Sequence, residues 1–391
     1  MKPFTFDRIP KIVFGPGRFN DLPGITAGFG QNVLAVTGGA SHREAARWDK
    51  FVKEVENGGG RVFHAMVRRE PSPRIVDDIV AEFRPQNIVV VVALGGGSVV
   101  DAGKAISAML RVEGSVEDYL EGVGDAIHSG IKTPFIAVPT TAGAGSEATK
   151  NAVISRVGEG GYKKSLRHDN FAPDVALIDP KLHITCPPDV SAACGMDTFT
   201  QLLEGYVSTK ASPMTNAPAL GGLKCASRSL VAACTDGAKD IEVRGDMAYA
   251  ALMSGIVLSN ADLGTVHGLA SSIGGFFDIP HGVVCATLVG AVSSATIAKL
   301  MSKHGPNHPA LAKYAKVGAM MVASESTDVE EGCSLLEKVI KEWRRTLKIP
   351  MLGAWGVTEK DLDRIAEATS NKGNPIELSK DEIAQVVRTR L

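Results

Sequence analysis

The sequence predicts an α/β fold in the first half of the chain and an all-α fold in the second half. Three observations lead to this prediction. Short β-rich runs alternate with helical stretches up to about residue 185, an order typical of a parallel sheet covered by helices. One run, Asn87 to Leu94, is almost entirely aliphatic, as expected for a strand buried on both faces. Beyond Pro187 the segments have helical spacing and no comparable valine-rich run recurs.

The individual elements follow from the same patterns. The predicted strands are Lys11–Phe14, Asn32–Thr37, Arg61–Met66, Asn87–Leu94, Phe135–Pro139 and Val175–Asp179. The predicted helices of the second half are Ala192–Thr209, Ala217–Cys234, Arg244–Leu258, Leu311–Ser324 and Val329–Thr346. A length of 391 residues suits two domains at roughly 150 residues each. We therefore predict an α/β domain over residues 1–185 and a helical domain over residues 186–391.

Composition excludes several classes of protein. The formal net charge is −1, whereas a dedicated nucleic-acid binder normally has a strong basic excess. The six cysteines form no CxxC pair and are interpreted as small hydrophobic residues in a reducing compartment. The N-terminus shows no secretory signal, and the uncharged stretch from Gly282 to Ala298 is shorter than a bilayer span. We expect a cytoplasmic protein that binds neither nucleic acid nor membrane.

A glycine-rich turn directly follows the aliphatic strand. Gly95, Gly96, Gly97 and Ser98 precede a segment that continues as a helix from Val99 to Met109. Such a strand, turn and helix N-terminus can bind phosphate, because glycines let the backbone approach the anion and the helix N–H groups face it. The letters match neither GxGxxG nor the P-loop pattern. From the residues alone, a phosphate site and a simple tight turn both remain open.

A second turn of small residues, Pro139 to Glu147, follows another predicted strand. The carboxyl ends of parallel strands lie at one edge of the sheet, and open α/β sheets bind ligands in the crevice there. The two turns together therefore predict a ligand site at that edge.

Five segments together resemble the iron-containing (group III) alcohol dehydrogenase family. They are GGGSVVDAGKA (95–105), PTTAGAGSEAT (139–149), APDVALIDP (172–180), GMDTFTQLLEGYVS (195–208) and VHGLASSIGGFFDIPHG (266–282). They occur in the order and spacing of that family and span nearly the whole chain. The resemblance implies a Rossmann-like N-terminal domain and a helical C-terminal domain, with NAD(P) and a divalent metal ion in the cleft between them.

The resemblance also assigns residues to the cofactor. Gly96, Gly97 and Ser98 would hold the pyrophosphate, and Asp101 would lie near the nicotinamide. Three threonines and a valine would line the dinucleotide: Thr140, Thr141, Thr149 and Val190. Asn151 matches a position close to the nicotinamide and the substrate. Either Lys163 or Lys164 would also reach the nucleotide.

The family binds Fe or Zn through an Asp, a His four residues later and two further His residues. Residues i and i+4 share one helix face and can hold one ion. Asp197, His267 and His281 match three of these positions, and Asp197 and His267 are the catalytic residues that the resemblance implies. The remaining position is Gln201, whose amide oxygen is a poor substitute for imidazole on Zn²⁺ or Fe²⁺. Gln201 is expected either to be a weak ligand or to hydrogen-bond the substrate, and metal occupancy stays open.

A second departure is at Ser271, where the family usually has a His beside the nicotinamide. Losing that His would remove part of a general acid–base contribution of about 10²- to 10⁴-fold. In place of that His, the hydroxyl of Ser271 is expected to relay a proton in the substrate region. Phe276 is a candidate wall of the substrate pocket, with a simple core role as the alternative.

The turn after the second strand bears on the choice between NAD and NADP. NAD-preferring members often have an Asp there, but this chain has Gly38 and Gly39, followed by Ser41. The 2′-phosphate of NADP would meet no carboxylate at Gly38, and a helix N-terminus with Ser41 would favour it. Ser41 and Glu44 also have the spacing of a helix capping box, which explains Ser41 without a ligand. We expect NADP rather than NAD.

These expectations converge on an NAD(P)-dependent oxidoreductase that interconverts an alcohol and its aldehyde or ketone by hydride transfer. A divalent metal ion would polarise the substrate oxygen. The alternatives are a metal-free reductase of the same fold, in which His267 or a lysine donates the proton, and a dehydroquinate-synthase-like lyase that uses NAD transiently. A non-catalytic nucleotide-binding protein is a further alternative. The expected partner is a small alcohol or aldehyde, and family members commonly form homodimers. The sequence does not identify the substrate.

Overall fold

The computed structural model of the protein describes residues 3–39, 45–158 and 160–391. Six parallel strands form the main sheet in the order β1-β8-β5-β4-β2-β3. Their bounds are β1 Lys11–Phe14, β2 Asn32–Gly38, β3 Arg61–Val67, β4 Val90–Gly95, β5 Phe135–Pro139 and β8 Val175–Ile178. Helices cover the sheet: α1 Leu22–Ala27, α2 Ala45–Asn57, α3 Pro73–Phe83 and α4 Gly97–Met109. The predicted α/β half is therefore confirmed.

The aliphatic strand β4 lies at the centre of the sheet, as its sequence predicts. All six of its residues are buried, and it pairs with β2 on one side and β5 on the other. The strand begins at Val90, three residues later than the expected Asn87. Asn87 has a left-handed φ of 50° and ends a short 3-10 helix, so pairing can begin only after the chain has turned.

A two-stranded antiparallel hairpin, absent from the sequence prediction, lies outside the main sheet. It consists of β6 Asn151–Arg156 and β7 Tyr162–Arg167. Only Tyr162 and Leu166 of its second strand are buried, and the strand includes two lysines, so it lacks the continuous aliphatic signal of the other strands. The hairpin contacts α4 with β6 and α8 with β7, and so lies between the sheet and the helical half.

The helical half contains no strand among its described residues. Its helices are α5 Pro188–Val207, α6 Pro213–Cys234, α7 Ile241–Ala261, α8 Thr265–Phe276, α9 His281–His304, α10 Pro309–Met321, α11 Val329–Thr346, α12 Leu362–Ala368 and α13 Lys380–Arg388. The predicted all-α half is confirmed, although α8, α9, α12 and α13 were not predicted as helices. Helix α5 is buried without a break from Gly195 to Val207. Polar side chains on this part of α5 therefore face the protein interior.

Helix α9 is 24 residues long and is the one helix in the described residues that is long and apolar enough to cross a membrane. It is longer than the stretch expected from the sequence. Of the window that meets this test, 67% is buried inside the protein, as is typical of a core helix.

We propose residue 185 as the boundary between the two halves. The last sheet strand ends at Ile178 and the first long helix begins at Pro188. The carboxyl ends of β2, β4 and β5 and the N-terminal part of α5 border a common cleft, because residues from all of them line one cavity.

Candidate active site

A cavity of about 650 Å³ opens at the carboxyl edge of the sheet. Its walls include seven of the residues assigned to the cofactor by resemblance: Gly38, Gly39, Gly96, Ser98, Thr140, Thr141 and Val190. The volume is in the range of ordinary small-molecule and cofactor sites. Two predicted turns and the end of β2 thus meet at one crevice.

Gly95 and Gly96 have different structural roles in the glycine-rich turn. A Cβ on the buried Gly95 would lie 2.7 Å from the Val99 side chain, so Gly95 is required for close packing of β4 against α4. Gly96 is the N-cap of α4, where no side chain caps the helix, and its added Cβ would meet only Thr141, at 3.3 Å. The exposed N-terminus of α4 therefore borders the cavity and suits a phosphate group.

Gly97, Asp101 and Thr149 are not among the residues that line the cavity. Gly97 is the first residue of α4, and Ser41 is outside the described residues. Asp101 is buried and accepts a hydrogen bond from the backbone N–H of Val153 at 3.1 Å. Thr149 is buried too, and its hydroxyl oxygen accepts a hydrogen bond from Lys104 at 2.7 Å.

Lys104 is a buried ammonium group that holds the second turn. Besides Thr149 Oγ1 it donates to the carbonyl oxygens of Ser146, Thr149 and Asn151, each at 2.8 Å. Burial lowers the pKa of Lys104 to about 8 and raises the pKa of the neighbouring Glu147 to about 7. Burial also raises the pKa of Asp101. This group is best described as a polar core that fixes the turn between β5 and β6.

A second cluster lies where α5, α8 and α9 meet. Asp197 from α5, His267 from α8, and His281 and Cys285 from α9 each direct one potential ligand atom to a common point, with these atoms all within 4.8 Å of one another. Asp197 Oδ1 lies 3.5 Å from His267 Nε2 and 3.7 Å from His281 Nε2. The predicted trio of Asp197, His267 and His281 is therefore brought together.

The donor set of this cluster fits a divalent ion. Carboxylate, imidazole and thiol groups are the ligands of Zn²⁺ and Fe²⁺ sites. Asp197 Oδ1 and His281 Nδ1 are buried, and neither has a hydrogen-bond partner among the described residues. A buried acceptor without a partner is costly unless a cation or proton offsets it. The fold thus leaves an acceptor that a metal ion would satisfy.

The protonation of the cluster follows from burial and proximity. Burial alone would raise the pKa of Asp197, but its interactions with the nearby His281 and His267 side chains lower it to about 2. Burial and the charge of Asp197 raise the pKa of the Cys285 thiol to about 12. A bound cation lowers the pKa of a coordinating thiol, so metal binding and loss of the thiol proton are coupled.

Glu204, which the sequence analysis missed, supports the cluster from behind. Its carboxylate lies 2.7 Å from His267 Nδ1 and also accepts the backbone N–H of Val266 at 2.7 Å. A carboxylate on the far nitrogen is the usual partner of a metal-binding histidine. The signal was available in the sequence, because Glu204 follows Asp197 by seven residues, two turns along one face of α5.

Cys285, the other missed residue, is fully buried. It follows His281 by four residues on α9, the same spacing that links Asp197 to Gln201 on α5. The interpretation of all cysteines as small hydrophobic residues hid this pair.

Gln201 has other contacts. The side chain is buried, and its amide nitrogen donates to the carbonyl oxygen of Ala144 at 2.8 Å and to Ser254 Oγ at 3.0 Å. The amide thus ties α5 to the second turn and to α7.

The predicted substrate residues Asn151, Ser271 and Phe276 are not among the residues that line the cavity. The Ser271 hydroxyl donates to the carbonyl of His267 within α8 at 2.9 Å. The Asn151 amide donates to Ser165 Oγ at 3.2 Å across the hairpin. Phe276, at the end of α8, lies under the guanidinium of Arg364, 5.0 Å from the ring centre. These three residues are therefore partnered within the protein.

An ion pair lies between the cavity and the cluster. Lys163 Nζ contacts both carboxylate oxygens of Glu70 at 2.7 Å, and Ser155 Oγ donates to the same carboxylate at 2.9 Å. Glu70 lines the cavity, and the Lys163 side chain packs against Gly274 of α8. Burial would raise the pKa of Glu70, but Lys163, and to a smaller degree His281, lower it. Of the two candidate lysines, Lys163 is thus the one that faces the cleft.

The cavity at the carboxyl edge of the sheet and the cluster of Asp197, His267, His281 and Cys285 are the two parts of the candidate active site. Two family models match the chain, described as iron-containing alcohol dehydrogenase over residues 10–180 and as Fe-containing alcohol dehydrogenase family, C-terminal, over residues 191–391. The chain belongs to the iron-containing alcohol dehydrogenase family. The recognised family and the predicted enzyme class, an alcohol dehydrogenase, are confirmed.

Relatives and solved structures agree with this assignment. The chain is 34% identical over 328 residues to alcohol dehydrogenase 4 of Saccharomyces cerevisiae, covering 82% of this chain and 81% of that protein. It is 29% identical over 404 residues to the NADPH-dependent butanol dehydrogenase of Clostridium saccharobutylicum, covering 99% and 97%. A crystal structure of 1,3-propanediol oxidoreductase superposes with a TM-score of 0.87 at 29% identity and covers both chains completely.

Proposed function

We propose that the protein transfers hydride between a small primary or secondary alcohol and NADP, with a divalent metal ion beside the nicotinamide end of the cavity. The convergence of Asp197, His267 and His281 on one point next to the cavity carries this proposal. The alcohol oxygen would be directed to that point and the reacting carbon toward the cavity. Positioning of this kind supplies much of the rate in such reactions.

The residues present would hold Fe²⁺ or Zn²⁺ through Asp197, His267 and His281. When bound, the ion supplies Lewis-acid polarisation of the substrate oxygen. The protein supplies the orientation. Glu204 fixes the ring of His267, and the buried position of Asp197 keeps water from competing for its carboxylate.

The preference for NADP is supported by the charge of the cavity. Arg47, Arg68 and Arg69 line it together with Gly38 and Gly39. A Cβ on Gly39 would lie 3.4 Å from Arg68 Cγ, so this arginine is next to the turn after β2. Guanidinium groups form strong paired hydrogen bonds with phosphate, and no carboxylate occupies Gly38 to repel it. Gly96, Gly97, Ser98, Thr140, Thr141 and Val190 complete the proposed cofactor site.

Asn151, Ser271 and Phe276 are the proposed substrate-side residues. Ser271 has a hydroxyl that can pass a proton but cannot hold one at neutral pH. We propose that proton transfer to and from the alcohol oxygen uses ordered water and the Ser271 hydroxyl.

Cytoplasmic location and a homodimer remain proposals from sequence and family. The six cysteines are all unpaired, which is consistent with a reducing compartment. Family members commonly dimerise.

One screen tests the proposal. The purified protein is incubated with NADPH or NADH and a panel of short aldehydes, hydroxy-aldehydes and ketones, with Zn²⁺, Fe²⁺, Mn²⁺ or no metal. We expect NADPH oxidation that is lost with EDTA and restored by Zn²⁺ or Fe²⁺. Full activity of metal-stripped protein would instead establish the metal-free reductase, and turnover without a net absorbance change would indicate the lyase.

A further inference from the structure

We propose that Cys285 is a metal ligand, bound as a thiolate, and that it takes the place left by the absent histidine at position 201. The site would then be formed by Asp197, His267, His281 and Cys285. This inference rests on the metal ion of the proposed function. It concerns which side chains hold the ion and which ion they prefer.

The distances within the cluster match a four-coordinate site. Cys285 Sγ lies 3.7 Å from His281 Nε2 and 3.9 Å from His267 Nε2. With ligand bonds of about 2.0 Å to nitrogen and about 2.3 Å to sulfur, the edges of a tetrahedron are roughly 3.5 Å between nitrogen and sulfur. The edge between nitrogen and oxygen is roughly 3.3 Å on the same basis, close to the 3.5 and 3.7 Å from Asp197 Oδ1 to the two imidazoles. Four of the six edges are thus within about 0.4 Å of those of a tetrahedral site, and the other two are no longer than 4.8 Å.

Gln201 is held in another role. Both hydrogens of its amide nitrogen have acceptors, Ala144 O and Ser254 Oγ. An amide nitrogen offers no lone pair to a metal ion, so Gln201 could bind one only through its oxygen, which is a weak donor to Zn²⁺ or Fe²⁺. Any turn of the amide toward the ion would also break two buried hydrogen bonds. Such a loss leaves buried carbonyl and hydroxyl groups unsatisfied.

Cys285 differs from the buried cysteine outside the cluster. The thiol of Cys333 on α11 has an ordinary acceptor, the carbonyl of Leu311 at 3.7 Å. The hydrogen-bond contacts of the Cys285 thiol are the two imidazoles, which are themselves candidate ligands. A purely structural cysteine has no need of this arrangement.

A thiolate changes the chemistry of the site in two ways. Two anionic ligands, Asp197 and Cys285, would balance the charge of a divalent ion, whereas one carboxylate and three imidazoles leave one positive charge. The soft sulfur also favours Zn²⁺ or Fe²⁺ over Mn²⁺ and Mg²⁺. We therefore expect tight binding of a thiophilic ion despite the loss of the histidine.

The test uses the full-length protein loaded with Co²⁺ as a spectroscopic probe, and Zn²⁺ for affinity. The variants are C285S, the matched buried-cysteine control C333S, and Q201A. We expect one ion per chain and a near-ultraviolet thiolate-to-cobalt band in the wild type, C333S and Q201A. The band should be absent from C285S, whose Zn²⁺ affinity, measured by chelator competition, should fall by at least about 10- to 100-fold.

X-ray absorption of the wild-type zinc protein provides a measurement that needs no variant, so poor folding of C285S would not block the test. One sulfur neighbour at about 2.3 Å is expected. A wild-type protein without the cobalt band, a band that persists in C285S, or a zinc shell of nitrogen and oxygen alone overturns the proposal. Alcohol oxidation is assayed separately. Activity without a sulfur ligand would overturn the role of Cys285 and leave the proposed function intact. A sulfur-ligated ion without activity would support the role of Cys285 and overturn the proposed function.

Discussion

The carboxylate of Glu204 lies 2.7 Å from Nδ1 of His267, and this contact determines which way the imidazole faces. An ionised carboxylate can only accept, so Nδ1 carries the proton and donates it. Nε2 is then the nitrogen that can present a lone pair to a metal ion, and it points at the cluster, 3.5 Å from Asp197 Oδ1. Glu204 therefore sets both the tautomer and the direction of a candidate ligand.

Replacing Glu204 with Gln should weaken metal binding without unfolding the protein. The amide keeps the shape but removes the charge that favours the Nδ1–H tautomer. Loss of such a partner typically lowers metal affinity about 10- to 100-fold. Competition with a chromogenic chelator for Zn²⁺ measures the effect, and E342Q, a change at an exposed position of α11, is the control. Equal zinc affinity in E204Q and the wild type would remove Glu204 from the site.

Alanine at Gly95 and at Gly96 should produce different defects. The G95A methyl would meet Val99 at 2.7 Å in the core, and overpacking of this kind costs about 1–3 kcal/mol of unfolding free energy. The G96A methyl would lie 3.3 Å from Thr141 Oγ1, a tight contact that a small shift of this side chain relieves, and it would stand at the cavity wall. We therefore expect nearly normal stability and a KM for NADPH raised about 10-fold. Urea unfolding and steady-state kinetics separate the two. The same defect in both variants would refute the division of roles within the turn.

Removal of the Arg68 side chain should change cofactor preference. Arg68 is exposed and lines the cavity beside Gly39. If it contacts the 2′-phosphate, R68A raises the KM for NADPH about 10-fold and leaves that for NADH nearly unchanged, since a charged hydrogen bond contributes about 1.5–3 kcal/mol. R61A, at the opposite end of the same strand, is the control. A parallel change with both cofactors would place the phosphate elsewhere.

Glu147 should make stability depend on pH in the weakly acidic range. Burial raises its pKa from the ordinary 4.5 to about 7, so between these values the native protein keeps a proton that the unfolded chain has released. The contribution of Glu147 to the free energy of unfolding therefore falls as pH rises from about 4.5 to about 7, and then levels off. The raised pKa of Asp101 changes the stability in the same direction. Asp101 is present in both the wild type and the E147Q variant described next, so it does not affect their comparison.

The variant E147Q cannot titrate at this position, so its stability should fall less over the same range. Urea midpoints for the wild type and E147Q at about pH 5 and about pH 7.5 measure the difference. Parallel pH curves for the two proteins would show that Glu147 keeps an ordinary pKa.

The main sheet could be predicted because continuous aliphatic runs report burial on both faces directly. Val90 to Gly95 and Phe135 to Pro139 are such runs, and both end in turns of small residues that mark the ligand edge. The hairpin could not be found in the same way. Its residues Lys163, Lys164 and Arg167 belong to a strand that is half exposed, and Lys163 is buried only through its pairing with Glu70 from a distant turn.

Only part of the candidate metal site could be predicted from the sequence, because some of its contacts depend on how separate helices pack. Asp197, His267 and His281 stand out in recognisable segments. The spacing of four residues puts Cys285 on the same face of α9 as His281. That face meets Asp197 and His267 only because α9 crosses α5 and α8, and no local pattern predicts this crossing. The hydrogen bonds from Gln201 to Ala144 and Ser254 likewise connect three segments that are far apart in the sequence. Only the folded structure shows them.

The hydroxyl of Thr198 lies 2.8 Å from the carbonyl oxygen of Gly143 and 3.1 Å from that of Ala142, next to Asp197 on the same helix. The same turn touches α7 so closely that a Cβ on Gly255 would lie 2.1 Å from Gly145 O. The second turn is therefore in close contact with both α5 and α7. We expect any opening of the cleft to hinge at this contact. The outer end of a bound dinucleotide would be released first, while the distance from the turn to Asp197 stays constant.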